Sequence, residues 1–150
     1  MPRILKTPLP QSSVLWDIHA PGDFIDGYSV DSTATVAEAL ETGFRMPGWG
    51  SALLSLRNRL VAPFGLKTGS GDGAALFPVT YESPYEMTIG TNDKHLDFRV
   101  ALLRQDGRIH MATWVRPHNL AGRLYLSVVM PFHVLLSRSC LRRVARKYPA

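Results

Sequence analysis

The sequence is short of cysteine. Cys140 is the only one in 150 residues, so no intrachain disulfide can form and stability must come from a packed core. Charged residues are also sparse, at 19% against 45% hydrophobic. That is the balance of a globular chain and excludes wholesale disorder. Long apolar runs are missing as well. The best candidate, Leu124–Ser137 between Arg123 and Arg138, contains Pro131 and His133 and falls short of the ~20 residues a span needs. It reads as a buried helix. Met1–Gln11 has three prolines and lacks the apolar centre of a signal peptide, so it reads as an extended arm and the chain as cytoplasmic.

Patterns for familiar chemistry are lacking too. The five histidines show no paired helical spacing with a third ligand, and Cys140 has no partner, so no metal site is expected. Gly69–Gly73 lacks the Lys-Ser/Thr ending of a phosphate loop and follows no strand. Gly48-Trp-Gly-Ser51 runs into Ala52-Leu53 and fails the nucleophile-elbow pattern. No cofactor and no catalytic residue follow from the pattern. Cys140 sits beside arginines on an apolar stretch, which fits an inert buried thiol better than a reactive one.

The net charge is +5, and Arg138, Arg142, Arg143, Arg146 and Lys147 equal that whole excess within one stretch free of acids. The basic character therefore belongs to a tail. Such a cluster can touch phosphate, here a weak contact with an anionic membrane rather than specific nucleic acid. It can equally complement the dipole at a helix C-terminus and keep the helix in water.

At 150 residues the chain has the length of one domain. The expected organisation is an arm over residues 1–15 and a single domain over 16–150. Phe24–Val30, broken by Gly27, reads as a first strand. Thr35 and Glu38 form a capping-box pattern that opens a short helix ending at Gly43. Trp49, Leu53, Leu56 and Leu60 recur at helical spacing between Pro47 and Pro63, and the glycine-rich Gly65–Gly73 is a loop.

Four strand-like runs follow: Leu76–Tyr81, Tyr85–Gly90, His95–Arg104 and Arg108–Arg116. The turns between them are Ser83-Pro84, Asn92-Asp93 and Asp106-Gly107, the last a strong hairpin signal. A two-residue Asp106-Gly107 loop pairs Val100 with Thr113, Leu102 with Met111 and Phe98 with Val115. A two-residue Asn92-Asp93 loop pairs Ile89 with Leu96 and Met87 with Phe98. Both put the apolar residues on one face. The other face is then polar and outward. On it Glu86 lies opposite Arg99, Arg99 opposite Trp114, Thr88 opposite Asp97 and Asp97 opposite Arg116, with His95 and His110 on the same side.

After Pro117, Asn119 is a plausible cap for a long helix with the stripe Leu120, Leu124, Val128, Phe132 and Leu135, which Pro131 should kink. A helix over one apolar face of an antiparallel meander is an α+β sandwich.

Three groups of residues together resemble the bacterial family catalogued as domain of unknown function 2867. They are Leu54–Thr68; Glu86 with Gly90, Asp93 and His95–Arg99; and Gly122-Arg-Leu-Tyr125 with Met130-Pro-Phe-His133. The likeness covers roughly Trp16 to Val144. Some members form the C-terminal part of proteins resembling short-chain dehydrogenases, but this chain carries no nucleotide-binding half. The family is similar to the START or polyketide-cyclase-like (SRPBCC) superfamily. That similarity implies a helix-grip fold, an antiparallel sheet wrapped around a long C-terminal helix, with an apolar cavity between them. The resemblance supplies no reaction.

The expected cavity is lined by Met87, Ile89, Phe98, Val100, Met111 and Thr113 on the sheet. Tyr125, Val128, Phe132, His133 and Leu135 face them on the helix. Such a cavity suits a small hydrophobic or amphipathic ligand. The same cavity could serve a cyclase- or isomerase-like enzyme, and the basic helix a peripheral membrane or interaction protein. Glu86, His95, Asp97 and Arg99 form a second set, able to clamp an anion or transfer protons, or simply to make a salt-bridge ladder on the outer face.

Overall fold

A computed structural model describes residues 3–43, 79–92 and 95–150. The expected helix over Trp49–Leu60, the Gly65–Gly73 loop, the motif at Leu54–Thr68, Asp93 and the start of the run at Leu76 lie outside the described residues.

The elements, in order, are β1 (Leu5–Lys6), α1 (Leu15–Ile18), β2 (Phe24–Ile25), β3 (Tyr28–Asp31), α2 (Val36–Gly43), β4 (Val79–Glu82), β5 (Glu86–Asn92), β6 (Leu96–Gln105), β7 (Arg108–Pro117) and α3 (Leu120–Lys147). The strands form one antiparallel seven-stranded sheet in the order β1-β3-β7-β6-β5-β4, with β2 also paired to β7. The fold is α+β and helix-grip-like, with the long α3 across one face of the sheet.

Local chemistry explains the sharpest boundaries. Thr35 and Glu38 make the reciprocal capping box: the Thr35 N–H donates to Glu38 Oε1 at 3.0 Å, and the Glu38 N–H donates to Thr35 Oγ1 at 3.1 Å. The helix they open ends at Gly43. Asn119 caps α3, its side chain accepting from the Gly122 N–H at 3.0 Å. Asp106 and Gly107 both take positive φ, at 55° and 73°. A two-residue hairpin turn that matches the strand twist requires this, and it fixes Val100 opposite Thr113 and Leu102 opposite Met111.

The preceding hairpin differs from expectation. Ile89 pairs with Val100, and Met87 with Leu102, four residues away from the expected Leu96 and Phe98. Asn92 is still in β5, opposite Asp97, so the connection is longer than a two-residue loop. Glu86 therefore lies opposite Leu103 rather than Arg99, Thr88 opposite Ala101 rather than Asp97, and Arg99 opposite Gly90. The Asp97–Arg116 and Arg99–Trp114 pairings hold.

Both faces of the sheet are covered. On one face Tyr28, Val30, Met87, Ile89, Leu102, Ile109 and Met111 pack against Val36, Ala39 and Leu40 of α2 and Cys140, Leu141, Val144 and Ala145 of α3. Each such aliphatic side chain contributes about 1.5–3 kcal/mol on burial. On the other face Ala101, Leu103, Ala112 and Trp114 pack beneath Leu9 and Leu15. This second face, expected to be an outward polar surface, is thus a core. It holds Thr88 and His110 buried, and Glu86 only 3% exposed. Glu86 accepts from the Ser13 hydroxyl at 2.5 Å and the Val14 N–H at 3.0 Å. The amino-terminal arm is what covers it, with β1 paired to β3.

The seating of α3 also differs from expectation. Its buried residues are Gly122, Ser137, Cys140, Leu141, Val144 and Ala145. Gly122 is pressed onto the His95 carbonyl, where a Cβ would collide with the backbone. Leu120, Leu124, Val128, Phe132 and Leu135, expected to face the sheet, are exposed.

Candidate functional site

Phe24 through Asp31 run antiparallel to β7 in one register, Phe24 opposite Val115 and Tyr28 opposite Met111. Alternation along that run places Phe24, Asp26, Tyr28 and Val30 on the α3 face. An acid in this apolar row is out of pattern. Asp26 Oδ1 accepts from the Thr113 N–H at 2.8 Å, and the Asp26 N–H donates to the Thr113 carbonyl at 3.1 Å. The carboxylate therefore satisfies a strand donor and still has Oδ2 to offer.

Oδ2 meets His133 of α3, whose Nε2 lies 3.2 Å away, an ion pair when the imidazole is protonated. The Ser137 hydroxyl, one helical turn on, lies 3.4 Å from the same Nε2. Beside them the Thr113 hydroxyl is buried with no hydrogen-bond partner among the described residues. Tyr28 sits one position along the row, with the Arg138 guanidinium 5.8 Å from its ring centre. Burial raises the Tyr28 phenol above its ordinary pKa, the Asp26 charge adds to this, and Arg138 opposes it. The apolar surroundings at this end are only half-buried: Phe98 and Val100 on the sheet, and Tyr125, Val129 and Met130 on the helix.

The arrangement is a polar knot in an apolar seam, able to hold a ligand's donor or acceptor. It is not a hydrolase relay. That mechanism needs the carboxylate and the hydroxyl on different ring nitrogens, and here both lie on Nε2. Among the described residues no group of three His, Cys, Asp or Glu is placed to hold a metal ion.

Of the expected cavity residues, Met87, Ile89 and Met111 belong to the closed core under α2 and the far half of α3. Thr113 and His133 form the knot, and Phe98, Val100 and Tyr125 lie at the half-buried end. The polar set is not brought together. Glu86 is at one end of the sheet, while Asp97 is six residues from its partner Leu103 along β6, about 20 Å at strand rise. Asp97 Oδ1 lies 2.9 Å from His118 Nε2, and His95 Nδ1 lies 2.9 Å from Asn119 Nδ2, so both tie the start of β6 to the start of α3. Arg99 donates to the Phe98 carbonyl at 2.7 Å. Asp26, Ser137 and Tyr28 escaped the pattern reading, although an acid alternating with Phe24 and Tyr28 was a visible signal for the first.

A second carboxylate knot closes the same end of the sheet. Asp23 accepts from the Ala20 N–H, Trp114 Nε1 and the Arg116 guanidinium at 2.8–3.2 Å. The Arg116 hydrogen bonds hold the Asp23 carboxyl down to about 2 against the opposing effect of burial.

The basic cluster divides. Arg143 turns inward, donating to the Gly43 carbonyl and, at 2.7 Å, to Ser139 Oγ, so it satisfies the C-terminus of α2. Arg138, Arg142, Arg146 and Lys147 are exposed. Cys140 is buried, and burial pushes its thiol up to about 12, as expected of an inert group.

A family model described as "Protein of unknown function (DUF2867)" matches residues 19–140. The chain belongs to this family. The match spans every residue of the Asp26–His133 knot, whereas the arm residues Leu9 and Leu15 and the last two turns of α3 fall outside it. No curated protein and no solved structure matches the chain significantly.

Proposed function

We propose that this DUF2867 chain binds a small amphipathic molecule in the seam between the sheet and the first half of α3. In this reading the apolar part of the ligand lies against Phe98, Val100, Tyr125 and Met130. Its polar end meets Thr113, Asp26 and His133. The START-like likeness implied by the sequence motifs is compatible with such a seam, and the helix-grip-like fold supplies its two walls.

The observation that carries the proposal is the Thr113 hydroxyl, buried beside the Asp26–His133 pair with no partner among the described residues. An unsatisfied buried hydroxyl costs about 1–3 kcal/mol, and a ligand group bonded to it would recover that cost. The test is Thr113→Val, which keeps the shape and removes the hydroxyl. Unfolding curves are recorded with and without a panel of fatty acids, isoprenoid alcohols and aromatic polyketide-like acids. Expected is a variant more stable than the parent when empty, yet bound by the best panel compound about tenfold more weakly, the loss of one such hydrogen bond. Equal binding by parent and variant, or no stabilisation of the parent by any panel member, would count against the proposal.

A further inference from the structure

The outer face of α3 is a ribbon of two chemistries. Leu120, Leu124, Val128, Phe132 and Leu135 are all exposed, Leu120 by 70% and Val128 by 60%. The exposed Arg138, Arg142 and Arg146 continue from Leu135 in the same three- and four-residue steps, so all eight share one helix face. The ribbon runs the length of a helix of 28 residues, about 42 Å. No carboxylate lies anywhere in Leu120–Lys147. One window of this helix has a mean hydropathy of 1.4 with 17% of its residues buried, so α3 is apolar enough and long enough to cross a membrane. Its opposite side, however, is in the core through Cys140, Leu141 and Val144. The helix can therefore meet a bilayer only side-on while the fold stays intact.

We infer that this ribbon seats α3 on the surface of an anionic lipid bilayer, with Leu120–Leu135 at the acyl boundary and Arg142 and Arg146 on lipid phosphates. Charge complementarity selects the occupant. A second copy of the chain laid parallel would set these arginines against their own kind. Laid antiparallel, it would set them on Leu120, Leu124 and Val128. An anionic bilayer offers hydrocarbon and phosphate a few ångströms apart, the pairing an amphipathic interfacial helix needs. The order of the two chemistries makes the Leu120 end sit deeper than the Arg146 end. Arg138, at the ribbon's edge, reaches back to the Tyr28 ring; the rest of the surface lies on the side of α3 away from the Asp26–His133 seam and does not depend on the ligand proposal.

The experiment is flotation of the full chain with phosphatidylcholine vesicles and with vesicles that also contain phosphatidylserine. Size-exclusion chromatography without lipid runs alongside. The parent should float with the anionic vesicles, bind neutral ones on the order of tenfold less, and be released by salt. Leu124→Asp/Val128→Asp and Arg142→Glu/Arg146→Glu, all at exposed positions, should each lose on the order of tenfold in binding while keeping the parent's circular dichroism and melting temperature. With an environment-sensitive fluorophore on one introduced surface cysteine, Cys140 being buried, Leu124→Cys should shift further to the blue on anionic vesicles than Arg146→Cys. Equal flotation with both vesicle types, or none with either, overturns the inference. So does a dimer that Leu124→Asp dissolves in the absence of vesicle binding, which would make a second copy the occupant.

Discussion

The two halves of α3 have opposite fates, and the half richer in apolar side chains is the one that docks less. Beyond Pro131 the helix turns Ser137, Cys140, Leu141, Val144 and Ala145 into the core, where they meet α2 and the sheet. Before Pro131 it buries only Gly122, and Leu120, Leu124 and Val128 are exposed. Hydrophobicity does not explain which half docks, because the docked half carries Arg138, Arg142, Arg143, Arg146 and Lys147 and the other only Arg123. Size does, because the residues that dock are mostly small and let the backbones approach closely. Gly43 of α2 has no room for a Cβ beside the Cys140 sulfur, and Gly122 has none beside the His95 carbonyl.

Substitutions should expose that contrast most strongly at Leu141, which is 0% exposed. Leu141→Ala should cost about 2–5 kcal/mol in urea unfolding. An equal loss from Leu124→Ala would erase the distinction between the halves. Next in size is Gly43→Ala, expected to cost about 1–3 kcal/mol through overpacking onto Cys140. Combining it with Cys140→Ala should recover part of that cost, so a double-mutant cycle with no coupling would show that the close approach is not what holds α2 to α3.

Acid should separate the two ends of the sheet. The folded-state pKa of Asp23, about 2, lies below its ordinary 3.8. Its contribution is therefore whole above about pH 4 and is lost as pH falls from about 4 toward about 2. Amide exchange in β2 and the Arg116 end of β7 should then rise before exchange in β3, and Asp23→Asn should remove that step. His110, near the other end of β7, titrates in a milder range. Burial lowers its folded-state pKa, with Arg108 adding to the effect. The unfolded chain takes up that proton first, so stability should start to decline as pH drops through about 6.5.

Asn119→Ala removes the cap from the lightly docked half of α3 and should cost about 1 kcal/mol, read as faster exchange in its first turn. The smallest effect belongs to Leu124→Ala, within about 0.5 kcal/mol of the parent in the same urea titration.

What the sequence revealed depended on how local each signal was. Thr35 with Glu38, Asn119, and Asp106 with Gly107 each act within four residues, and each is where the pattern placed it. The Asn92 hairpin failed instructively. Side chains alternate with a period of two, so a register error of four leaves every apolar residue on its original face. The agreement of the two hairpins on one apolar face was therefore blind to the error that separated Glu86 from Arg99. Burial of Glu86, Thr88 and His110 was illegible for a different reason. The cover comes from Leu9, Ser13 and Leu15, more than 70 residues earlier in a proline-rich stretch with no period of its own. The α3 stripe misled because periodicity finds an apolar face without saying what it touches, whereas Gly122, Ser137 and Ala145 dock by being small. Of the candidate site, Thr113 and His133 were legible as polar groups on inward rows. Asp26 was visible only as an interruption, and Ser137 carried no signal until the helix was in place.

The last turn of α3 is sewn to the beginning of β3's exit. The Tyr148 carbonyl accepts from the Ser32 hydroxyl at 2.7 Å and the Thr33 N–H at 3.1 Å, across 116 residues of chain. During synthesis the strands leave the ribosome well before the helix that covers them. Until Leu141, Val144 and Tyr148 have emerged, the face bearing Tyr28, Val30 and Met111 has no complete cover and the nascent sheet is open to wrong partners. A ribosome stalled with these residues still in the exit tunnel should hold a protease-sensitive chain. Emergence of Leu141–Tyr148 from the tunnel should be the event that makes it resistant.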